Sequence, residues 1–475
     1  MKDYPQHSAL EGTLVERVMT EIRQRVARRA LVPGAKLPSI RGLATTMGVS
    51  KSTVVEAYDR LTAEGAIRSR RGAGFYVAGH LPPLNLAEIG PRLDRAIDPL
   101  WVSRMSLEAS VDVAMPGCGW LPATWMPEDG IRRALRMLAR GDTAALTDYA
   151  SPLGLHPLRQ LLSRRLADHG IEAAPDQIML TESGTQAIDL ICRFLIEPGD
   201  AVIVDDPCYF NFHALLKAHR ANIISVPYTP FGPDLELFAT ALGTNRPRLY
   251  ITNSALHNPT GATLSPVIAH RLLKLAEQHD LTIIEDDIFA DFEQEPAPRL
   301  AAFDGLERVI HMGSFSKSLS ASVRCGFIAA RGDWIEGLVD MRVATSFGAG
   351  RISAELVLLM LKDAGYRKHV DALRTRLARS MGDTVFRLKS MGITPWIEPR
   401  NGMFVWCRLP QGVDAAAVAR YGLKEGVIFA PGQVFSPSPD ANSYMRFNVA
   451  QCSDPRIFRV LEDAIRPSQM AAAIS

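Results

Sequence analysis

The sequence predicts an α/β protein with two unequal parts: a small, basic N-terminal part of short helices and a hairpin, and a much larger domain with a mostly parallel sheet. Three observations support this fold class. Charge is unevenly distributed along the chain, capped short helices occupy the first eighty residues, and β-branched runs alternate with amphipathic stretches from residue 178 onward. The length of 475 residues agrees with two or three domains of roughly 150 residues each.

The composition is that of an ordinary globular protein and excludes several classes. Hydrophobic residues make up 47% of the chain and charged residues 22%, so neither global disorder nor a collagen-like structure is expected. The chain has no run of 18 or more apolar residues, and its start lacks the layout of a signal peptide, which predicts a cytoplasmic protein without membrane spans. The six cysteines are widely spaced without a CxxC pair, which predicts reduced core thiols rather than disulfides or a metal site.

The formal net charge of +2 is the sum of two opposite contributions. Residues 1–80 hold 13 of the 53 Lys and Arg but 7 of the 51 Asp and Glu, a net charge of +6, which leaves −4 for the remainder. A basic segment joined to a mildly acidic body predicts a polyanionic partner for the first part only.

Two capped helices separated by a short turn follow a longer amphipathic helix in the basic part. Apolar residues recur at helical spacing over residues 15–26. Ser39 and Ser50 are good N-caps for the next two helices, and Gly48 suits the left-handed residue of the turn between them. Two short helices with this connection form a helix-turn-helix, which places its second helix in the major groove of DNA.

The arginine- and glycine-rich stretch at residues 66–77 predicts a two-stranded wing behind these helices. The alternative is a small helical protein-docking domain with a basic face. However, the segment LPSIRGLATTMGVSKSTVVEAYDRLTAEGAIRSRRGAGFYV resembles the winged helix-turn-helix of GntR-type regulators, and the resemblance covers about residues 10–79. It implies DNA contacts from polar and basic residues of the helices and wing, namely Ser39, Arg41, Ser50, Lys51, Ser52, Thr53, Arg70, Arg71 and Gly72.

The composition of residues 80–108 predicts a linker. Pro82, Pro83, Pro91 and Pro99 break any long helix there, and no periodicity is sustained. A semi-rigid connector and a segment packed along the second domain are both compatible with this composition. The predicted domains are therefore residues 1–79, the linker 80–108 and a large domain over 109–475.

The large domain contains seven short runs that predict strands, several of them separated by amphipathic helical stretches such as Ala187–Leu195 and Val267–His279. This alternation predicts a mostly parallel sheet covered by helices on both faces, with ligands beyond the carboxyl ends of the strands. The predicted strands are Ile178–Thr181, Ala201–Val204, Ile223–Val226, Leu249–Thr252, Leu281–Glu285, Val309–Met312 and Cys325–Ala330.

Side chains suited to one cofactor follow five of these runs. The turn at residues 182–186 opens a helix, whose free N–H groups suit a phosphate. Tyr209 can stack on a flat ring, Asn258 can donate to a ring oxygen, and the Asp286-Asp287 pair can hold a ring nitrogen protonated. Lys317 supplies an amine nucleophile.

Each of these side chains has an ordinary alternative role. Tyr209 could simply pack, and Asp286-Asp287 could be a metal pair or a solvated strand end. Their joint order meets the requirements of pyridoxal 5′-phosphate, where a lysine forms a Schiff base and an acidic residue pairs with the pyridine nitrogen.

Residues 109–467 resemble the fold-type I aminotransferases, which have a smaller C-terminal subdomain. The resemblance implies Lys317 as the Schiff-base lysine, Asp286 as the pyridinium partner, Asn258 near the phenolic oxygen and Tyr209 stacked on the ring. Arg446 would bind an effector α-carboxylate, a bidentate task that suits arginine. The remaining implied cofactor contacts are Gly184, Thr185, Gln186, Ser314, Ser316, Arg324 and Tyr149, the last reaching the neighbouring subunit of a homodimer.

One departure from this family concerns the residues after the pyridine-contacting aspartate. The family usually has a tyrosine there that donates to the phenolic oxygen, whereas this chain has Ile288 and Phe289. The missing hydroxyl predicts inefficient transamination without affecting cofactor binding.

A GntR-like winged helix followed by an aminotransferase-like body resembles the MocR-type transcription regulators. The resemblance implies a pyridoxal-phosphate-dependent DNA-binding regulator that senses the cofactor, or an amine or amino-acid effector, through Lys317. The alternatives are a working aminotransferase with an accessory DNA-binding domain, and a regulator that uses the fold only as a dimer scaffold.

Overall fold

The computed structural model of the protein describes residues 13–28, 30–32, 34–70, 74–78, 98–110, 112–141 and 143–474. The chain divides into two compact units, Met1–Ala87 and Glu88–Ser475, and each is described by itself. Among the described residues, no helix has the length and apolar character needed to cross a membrane. The domain boundaries derived from the sequence remain predictions.

The N-terminal unit has the predicted order of three helices and a hairpin. Its elements are α1 (Leu14–Ala27), α2 (Ile40–Met47), α3 (Lys51–Ala63), β1 (Ile67–Arg70) and β2 (Gly74–Val77). The two predicted caps are formed, because Ser39 Oγ accepts from Gly42 N and Ser50 Oγ from Thr53 N, each at 3.1 Å. Gly48 has the left-handed φ of 64° that the turn requires. β1 and β2 pair antiparallel as the predicted wing.

One small core holds this unit together. Val18 and Ile22 of α1 are buried against Val54, Tyr58 and Leu61 of α3. The phenol of Tyr58 is satisfied by donating to the Pro38 carbonyl at 2.9 Å. Since each fully buried large apolar side chain contributes about 1.5–3 kcal/mol, this core keeps α3 in place and leaves its opposite face exposed.

The first described element of the large unit is a helix that the sequence did not predict. α4 spans Pro99–Glu108, inside the predicted linker. Pro99 begins this helix rather than breaking one, because the missing N–H of a proline would have no intrahelical partner in the first turn.

An eight-stranded sheet forms the centre of the large unit, in the order β3-β10-β9-β8-β7-β4-β5-β6. The four pairings from β9 to β5 are parallel, and β10 runs antiparallel to both its neighbours, so the predicted mostly parallel sheet is confirmed. The strands are β3 (Ile178–Thr181), β4 (Ala201–Asp206), β5 (Asn222–Thr229), β6 (Gly232–Pro233), β7 (Leu249–Thr252), β8 (Thr282–Asp286), β9 (Val309–Ser314) and β10 (Gly326–Ala329).

Helices cover both faces of this sheet. Two consecutive residues of β8 show that both faces are covered. Ile283 belongs to the core on one face, and Ile284 belongs to the core on the other. The covering helices are α5 (Glu128–Ala139), α6 (Ala144–Thr147), α7 (His156–Ala167), α8 (Gly184–Leu195), α9 (Phe210–Ala218), α10 (Leu235–Asn245), α11 (Pro266–Gln278), α12 (Leu300–Asp304), α13 (Gly332–Ser346) and α14 (Arg351–Lys362).

Two strands that lead into the site end later than their apolar runs predict. β8 extends to Asp286 and β9 to Ser314, so these polar residues are the last of their strands rather than the first of the following loops. Backbone pairing continues past the apolar residues because the ladder uses main-chain groups of any residue type.

A smaller antiparallel sheet and its helices form the predicted C-terminal subdomain. The sheet has the order β11-β12-β14-β13. Its two central strands place Arg446 opposite Trp406, and Asn448 opposite Phe404. The elements are α15 (Ala364–Ser390), β11 (Thr394–Pro395), β12 (Phe404–Arg408), α16 (Ala415–Lys424), β13 (Ala430–Pro431), β14 (Tyr444–Asn448) and α17 (Pro455–Ile474).

Candidate cofactor site and DNA-binding surface

Lys317 lies just beyond the carboxyl end of β9, with its amine inside the site. Its Nζ donates to the carbonyl oxygen of Gly119 at 2.8 Å, although the two residues are 198 positions apart in the chain. Burial lowers the pKa of Lys317 from 10.5 to about 8. A lowered pKa increases the fraction of neutral amine near neutral pH, and the neutral amine is the nucleophilic form.

Asp286 is the buried last residue of β8. Its backbone carbonyl accepts from Asn253 Nδ2 at 2.9 Å, and its Oδ1 accepts from Ile288 N at 3.3 Å. Burial raises the pKa of this carboxyl to about 7. A cationic ring nitrogen would stabilise the ionised form that burial disfavours.

The start of α8 provides a backbone surface for an anion. Ser183 caps the helix, its Oγ accepting from Gln186 N at 3.1 Å. A Cβ added to Gly184 would lie 2.7 Å from Cε of Met312, so this position has no room for a larger side chain. Ser314 Oγ lies 3.0 Å from Oγ of Ser316 at the end of the neighbouring β9. The first N–H groups of a helix have no intrahelical partners and attract phosphate.

Arg446 is fully buried and only partly satisfied. Its Nη1 donates to Asn258 Oδ1 at 2.9 Å and its Nη2 to the Gly117 carbonyl at 2.6 Å, whereas Nε has no hydrogen-bond partner among the described residues. The guanidinium lies between the rings of Phe404 and Phe435, 4.2 and 4.6 Å from their centroids. Burial lowers its pKa to about 10, so the group stays cationic at neutral pH. A carboxylate ligand would supply the missing acceptor and charge.

These groups converge at one place in the molecule. Lys317 and Arg446 donate to carbonyls two residues apart, Gly119 O and Gly117 O. Burial raises the pKa of Tyr209, which Asp286 raises further and Arg446 lowers. Burial lowers the pKa of Lys317, which Arg446 and Arg324 lower further and Asp286 raises. Asn258 is brought in through its bond to Arg446. Sheet topology thus gathers residues from 209 to 446, which the sequence could order but not place in space.

Other predicted contacts lie at the rim of this site or point elsewhere. Thr185 and Arg324 are exposed, and Tyr149 has 89% of its surface exposed. Gln186 turns its side-chain oxygen to the backbone N of Glu182 at 2.7 Å, a local contact at the helix start. Their predicted cofactor contacts remain predictions.

The two residues that replace the usual tyrosine are both apolar and packed. The side chain of Ile288 would lie 3.3 Å from a Cβ on Gly184, so it borders the site. Phe289 is buried with its ring centroid 5.5 Å from that of Phe404. Neither position offers a hydroxyl to a ligand, as the sequence indicated.

Residues Gly117–Trp120 belong to this site without any sequence signal. The carbonyl oxygens of Gly117 and Gly119 accept from Arg446 and Lys317. The stretch carries no motif, and its partners lie hundreds of positions away in the chain. Such backbone contacts depend on tertiary structure alone.

The site fits pyridoxal phosphate in the chemistry of its donors. It combines an amine with a lowered pKa at Lys317, a buried carboxyl at Asp286 and a cation with a free donor at Arg446. The first N–H groups of α8 suit an anion. The fold and this set of groups define a pyridoxal-phosphate-dependent protein with an aminotransferase-type domain.

On the N-terminal unit, the predicted DNA contacts divide into caps and exposed side chains. Ser39 and Ser50 are occupied as helix caps. Arg41, Lys51 and Ser52 are exposed on α2 and α3, and Thr53 is half-buried. The predicted contacts Arg71 and Gly72 and the side chain of Arg70 lie outside the described residues.

Comparison with known proteins agrees with both units. Residues 123–463 match the model of aminotransferase class I and II, and residues 14–77 match the gntR family of bacterial regulatory proteins. The chain therefore belongs to the aminotransferase class I and II family and carries a GntR DNA-binding domain, the organisation of the MocR-type regulators. It is a DNA-binding transcription regulator whose large domain is pyridoxal-phosphate-dependent.

Individual relatives show the same organisation or the same large domain. The HTH-type transcriptional regulator YdcR of Escherichia coli is 30% identical, over 92% of this chain and 94% of its own. NorG of Staphylococcus aureus, also an HTH-type transcriptional regulator, is 28% identical over 84% of this chain and 92% of its own. The crystal structure of LysN, an α-aminoadipate aminotransferase of Thermus thermophilus complexed with N-(5′-phosphopyridoxyl)-L-leucine, is 25% identical with a TM-score of 0.69, covering 78% of this chain and 95% of its own.

Proposed function

We propose that this regulator senses pyridoxal phosphate, or an amine or amino acid that reacts with it, through Lys317, and that occupancy of the site changes the protein's affinity for DNA. The observation that carries the proposal is the convergence of Lys317, Asp286 and Arg446 on one buried site. A ligand can shift such an equilibrium only if it binds the two states of the protein with different affinity. As a DNA-binding protein, the regulator is expected in the cytoplasm.

The proposed roles follow from the groups that each residue presents. Pyridoxal phosphate, when bound, would supply an aldehyde that is reactive toward amines. Lys317 would offer the amine, Asp286 would keep the ring nitrogen protonated, and Asn258 would donate to the ring oxygen. Arg446 binds an effector carboxylate with the donors that Asn258 and Gly117 leave free.

The phosphate and ring contacts complete the proposed site. Tyr209 would stack on the ring, and the start of α8 would hold the phosphate. Its proposed partners are Gly184, Thr185, Ser314, Ser316, Arg324 and, from a second subunit, Tyr149.

A homodimer is part of the proposal because two large aromatic side chains are exposed on the surface of one chain. Tyr149 and Phe347 are 89% and 70% exposed, with ring centroids 6.1 Å apart. Exposed aromatic pairs of this kind are typical of subunit interfaces. Two subunits would present two winged helices to two half-sites.

DNA affinity measured with and without ligands tests the proposal. The DNA fragment would come from footprinting upstream of the protein's own gene, and binding would be followed by fluorescence anisotropy with pyridoxal phosphate, pyridoxal and a panel of amino acids. We expect a change of about tenfold or more with at least one ligand, equivalent to 1.4 kcal/mol. Identical DNA affinity under all conditions would refute ligand sensing.

A working aminotransferase is the second candidate function, favoured by the intact set of Lys317, Asp286 and Arg446. The apolar Ile288 and Phe289 argue against efficient turnover, since no hydroxyl is available there. Spectroscopy with an amino acid, followed by a turnover assay with a keto acid, separates the two functions. Sustained conversion of both substrates would establish the enzyme.

Replacing Lys51 with alanine should weaken DNA binding and reduce its salt dependence. Lys51 is exposed at the first position of α3, where a lysine reaches a phosphate. Loss of one phosphate contact lowers the slope of log K against log salt by about 0.9. Lys274, an exposed lysine of α11, is the matched control and should leave the slope unchanged when replaced. An unaltered slope for Lys51→Ala would remove this residue from the interface.

Replacing Asp286 with asparagine should weaken cofactor binding while stabilising the cofactor-free protein above neutral pH. The pKa of Asp286 is about 7 in the folded protein and near 3.8 in the unfolded chain, so the folded state holds this proton more tightly. The group therefore costs stability as pH rises from about 4 to 7.

Urea unfolding at several pH values measures this trade-off. The stability of Asp286→Asn relative to the natural protein should rise by on the order of 2–4 kcal/mol between pH 4 and 8, since each pKa unit corresponds to about 1.4 kcal/mol. Cofactor affinity should fall at least about tenfold. A pH-independent difference in stability would contradict the buried, protonated state of Asp286.

A further inference from the structure

Four consecutive carbonyl groups at the cofactor site accept hydrogen bonds from side chains. They belong to Gly117–Trp120, named here the site segment. Arg446 donates to Gly117 O at 2.6 Å and Lys317 to Gly119 O at 2.8 Å. Asn448 donates to the other two, Cys118 O at 3.1 Å and Trp120 O at 2.8 Å.

The sequence predicts a ligand for each of the donors Arg446 and Lys317, but none for Asn448. It is fully buried at the end of β14, two residues after Arg446. Its side-chain oxygen accepts from Ala450 N at 3.2 Å, and its backbone N donates to Pro116 O at 2.7 Å. Its side-chain hydrogen bonds thus either hold the site segment or fix its own amide, so the amide cannot turn toward a ligand without leaving buried carbonyls unpaired.

The other two carbonyls orient the groups on which the proposed function depends. Gly117 O takes one donor of Arg446, which leaves the unpaired Nε and the remaining hydrogens of the guanidinium for a carboxylate. Gly119 O takes one hydrogen of the Lys317 amine and thereby fixes the direction of the others. A displacement of the site segment would misplace both groups at once, and a misplacement of 1 Å is costly in such sites.

We propose that Asn448 is a positioning residue that holds the site segment and, through the carbonyls of Gly117 and Gly119, orients Arg446 and Lys317 before ligands bind. This inference rests on the proposed function. It assigns to Asn448 no contact with cofactor or effector. Its effect passes through two backbone carbonyls that sit on either side of Cys118.

The chain offers a matched control at the same carbonyl. Gln451 Nε2 also donates to Trp120 O, at 3.1 Å, but reaches no other part of the site segment. Gln451→Ala removes this single donor and leaves Asn448 in place. Asn448→Ala removes the donors at both Cys118 and Trp120, and Asn448→Asp keeps the oxygen that caps Ala450 should the alanine variant fold poorly.

Hydrogen exchange of the cofactor-free protein tests whether Asn448 holds the segment. Amides of residues 112–121 should exchange about tenfold faster in Asn448→Ala than in the natural protein, corresponding to local opening made easier by about one hydrogen bond. Gln451→Ala should change this exchange much less. Unchanged exchange in the Asn448 variants would overturn the proposal.

Two further measurements separate positioning from a purely structural role. The rate at which the cofactor-free protein captures pyridoxal phosphate should depend on pH with a midpoint near the Lys317 pKa of about 8. Because a carbonyl acceptor favours the charged amine, this midpoint should fall in Asn448→Ala. The preference for L-alanine over ethylamine, which lacks the carboxylate, should fall about tenfold through Arg446.

The outcomes distinguish this inference from the function on which it rests. Faster exchange with an unaltered midpoint and an unaltered L-alanine preference would make Asn448 structural only and refute the positioning role. Failure of the natural protein itself to capture pyridoxal phosphate would refute the proposed function, whatever the variants do.

Discussion

Replacing Lys317 with alanine is expected to abolish the visible absorbance that pyridoxal phosphate acquires when it is linked to a lysine, and with it every ligand effect on DNA affinity. The Lys317 amine lies 2.8 Å from Gly119 O, and burial lowers its pKa to about 8. Loss of this nucleophile leaves no group that can form the covalent link. DNA binding without ligands should persist, since the N-terminal unit has its own core.

Absorbance titration and anisotropy on one preparation check both halves of this prediction. Lys274→Ala, at an exposed position of α11, is the matched control and should titrate like the natural protein. A normal lysine-linked spectrum in Lys317→Ala would show that another lysine holds the cofactor. If Lys317→Ala lost the absorbance but kept the ligand effect on DNA affinity, sensing would not depend on the covalent link. That outcome would contradict the proposed mechanism.

Replacing Arg299 with alanine is expected to destabilise the large unit by about 3–5 kcal/mol, the effect of breaking a buried ion pair. Arg299 is 1% exposed and contacts Asp287 at 3.1 Å and Glu293 at 2.8 Å. These two carboxylates raise the pKa of Arg299 although burial alone would lower it, and burial raises the pKa of Glu293 to about 7. The substitution leaves two buried acids without their cation.

The stability lost in Arg299→Ala should depend on pH, in the direction set by the raised pKa of Glu293. Without Arg299, the folded-state pKa of Glu293, which burial already raises, rises further above its unfolded value, so the variant loses stability as pH increases from 5 to 8. Urea unfolding across that range measures it. Arg331→Ala removes an exposed pair with Asp333 at 2.6 Å and should change stability little at any pH. Equal losses of stability in the two variants would show that the Arg299 ion pair contributes no more than an exposed pair.

Arg299 also supports the cofactor site through its contact with Asp287. Asp287 directly follows Asp286, and its backbone N donates to Met312 O in the neighbouring strand at 2.9 Å. Arg299 holds the Asp287 side chain, which fixes the backbone at the point where Asp286 enters the site. Cofactor affinity should therefore fall in Arg299→Ala even under conditions where the protein stays folded.

Much of the fold could be predicted because its signals are local. Ser39, Ser50 and Gly48 specify two helix starts and a turn through contacts within three residues, and the structure forms all three. The apolar runs predict the large strands because a strand buried on both faces needs apolar side chains in succession. The ends of β8 and β9 were less predictable, since Asp286 and Ser314 pair through their backbones despite polar side chains.

The candidate site was predicted in its side chains and missed in its backbone. The motifs around Lys317 and Arg446 carry the cofactor chemistry in recognisable residue types. The site segment and the role of Asn448 have no such signal, because a carbonyl oxygen is the same in every residue and its partner is chosen by the fold. The helix at Pro99–Glu108 was missed for a related reason, since a proline that begins a helix looks like one that prevents it.

The sequence by itself determined the two-part architecture and the DNA-binding unit, since these depend on caps, periodicities and motifs within short stretches of chain. The role of Lys317 as the cofactor lysine is a prediction from the same kind of local motif. Only the tertiary structure decided which groups meet: Lys317 with a carbonyl 198 residues away, Arg299 with two buried acids, and Arg446 with Asn258. The physical reason is that hydrogen bonds and ion pairs require contact within a few ångströms, and chain order does not specify distances between segments that only the packed sheet brings together.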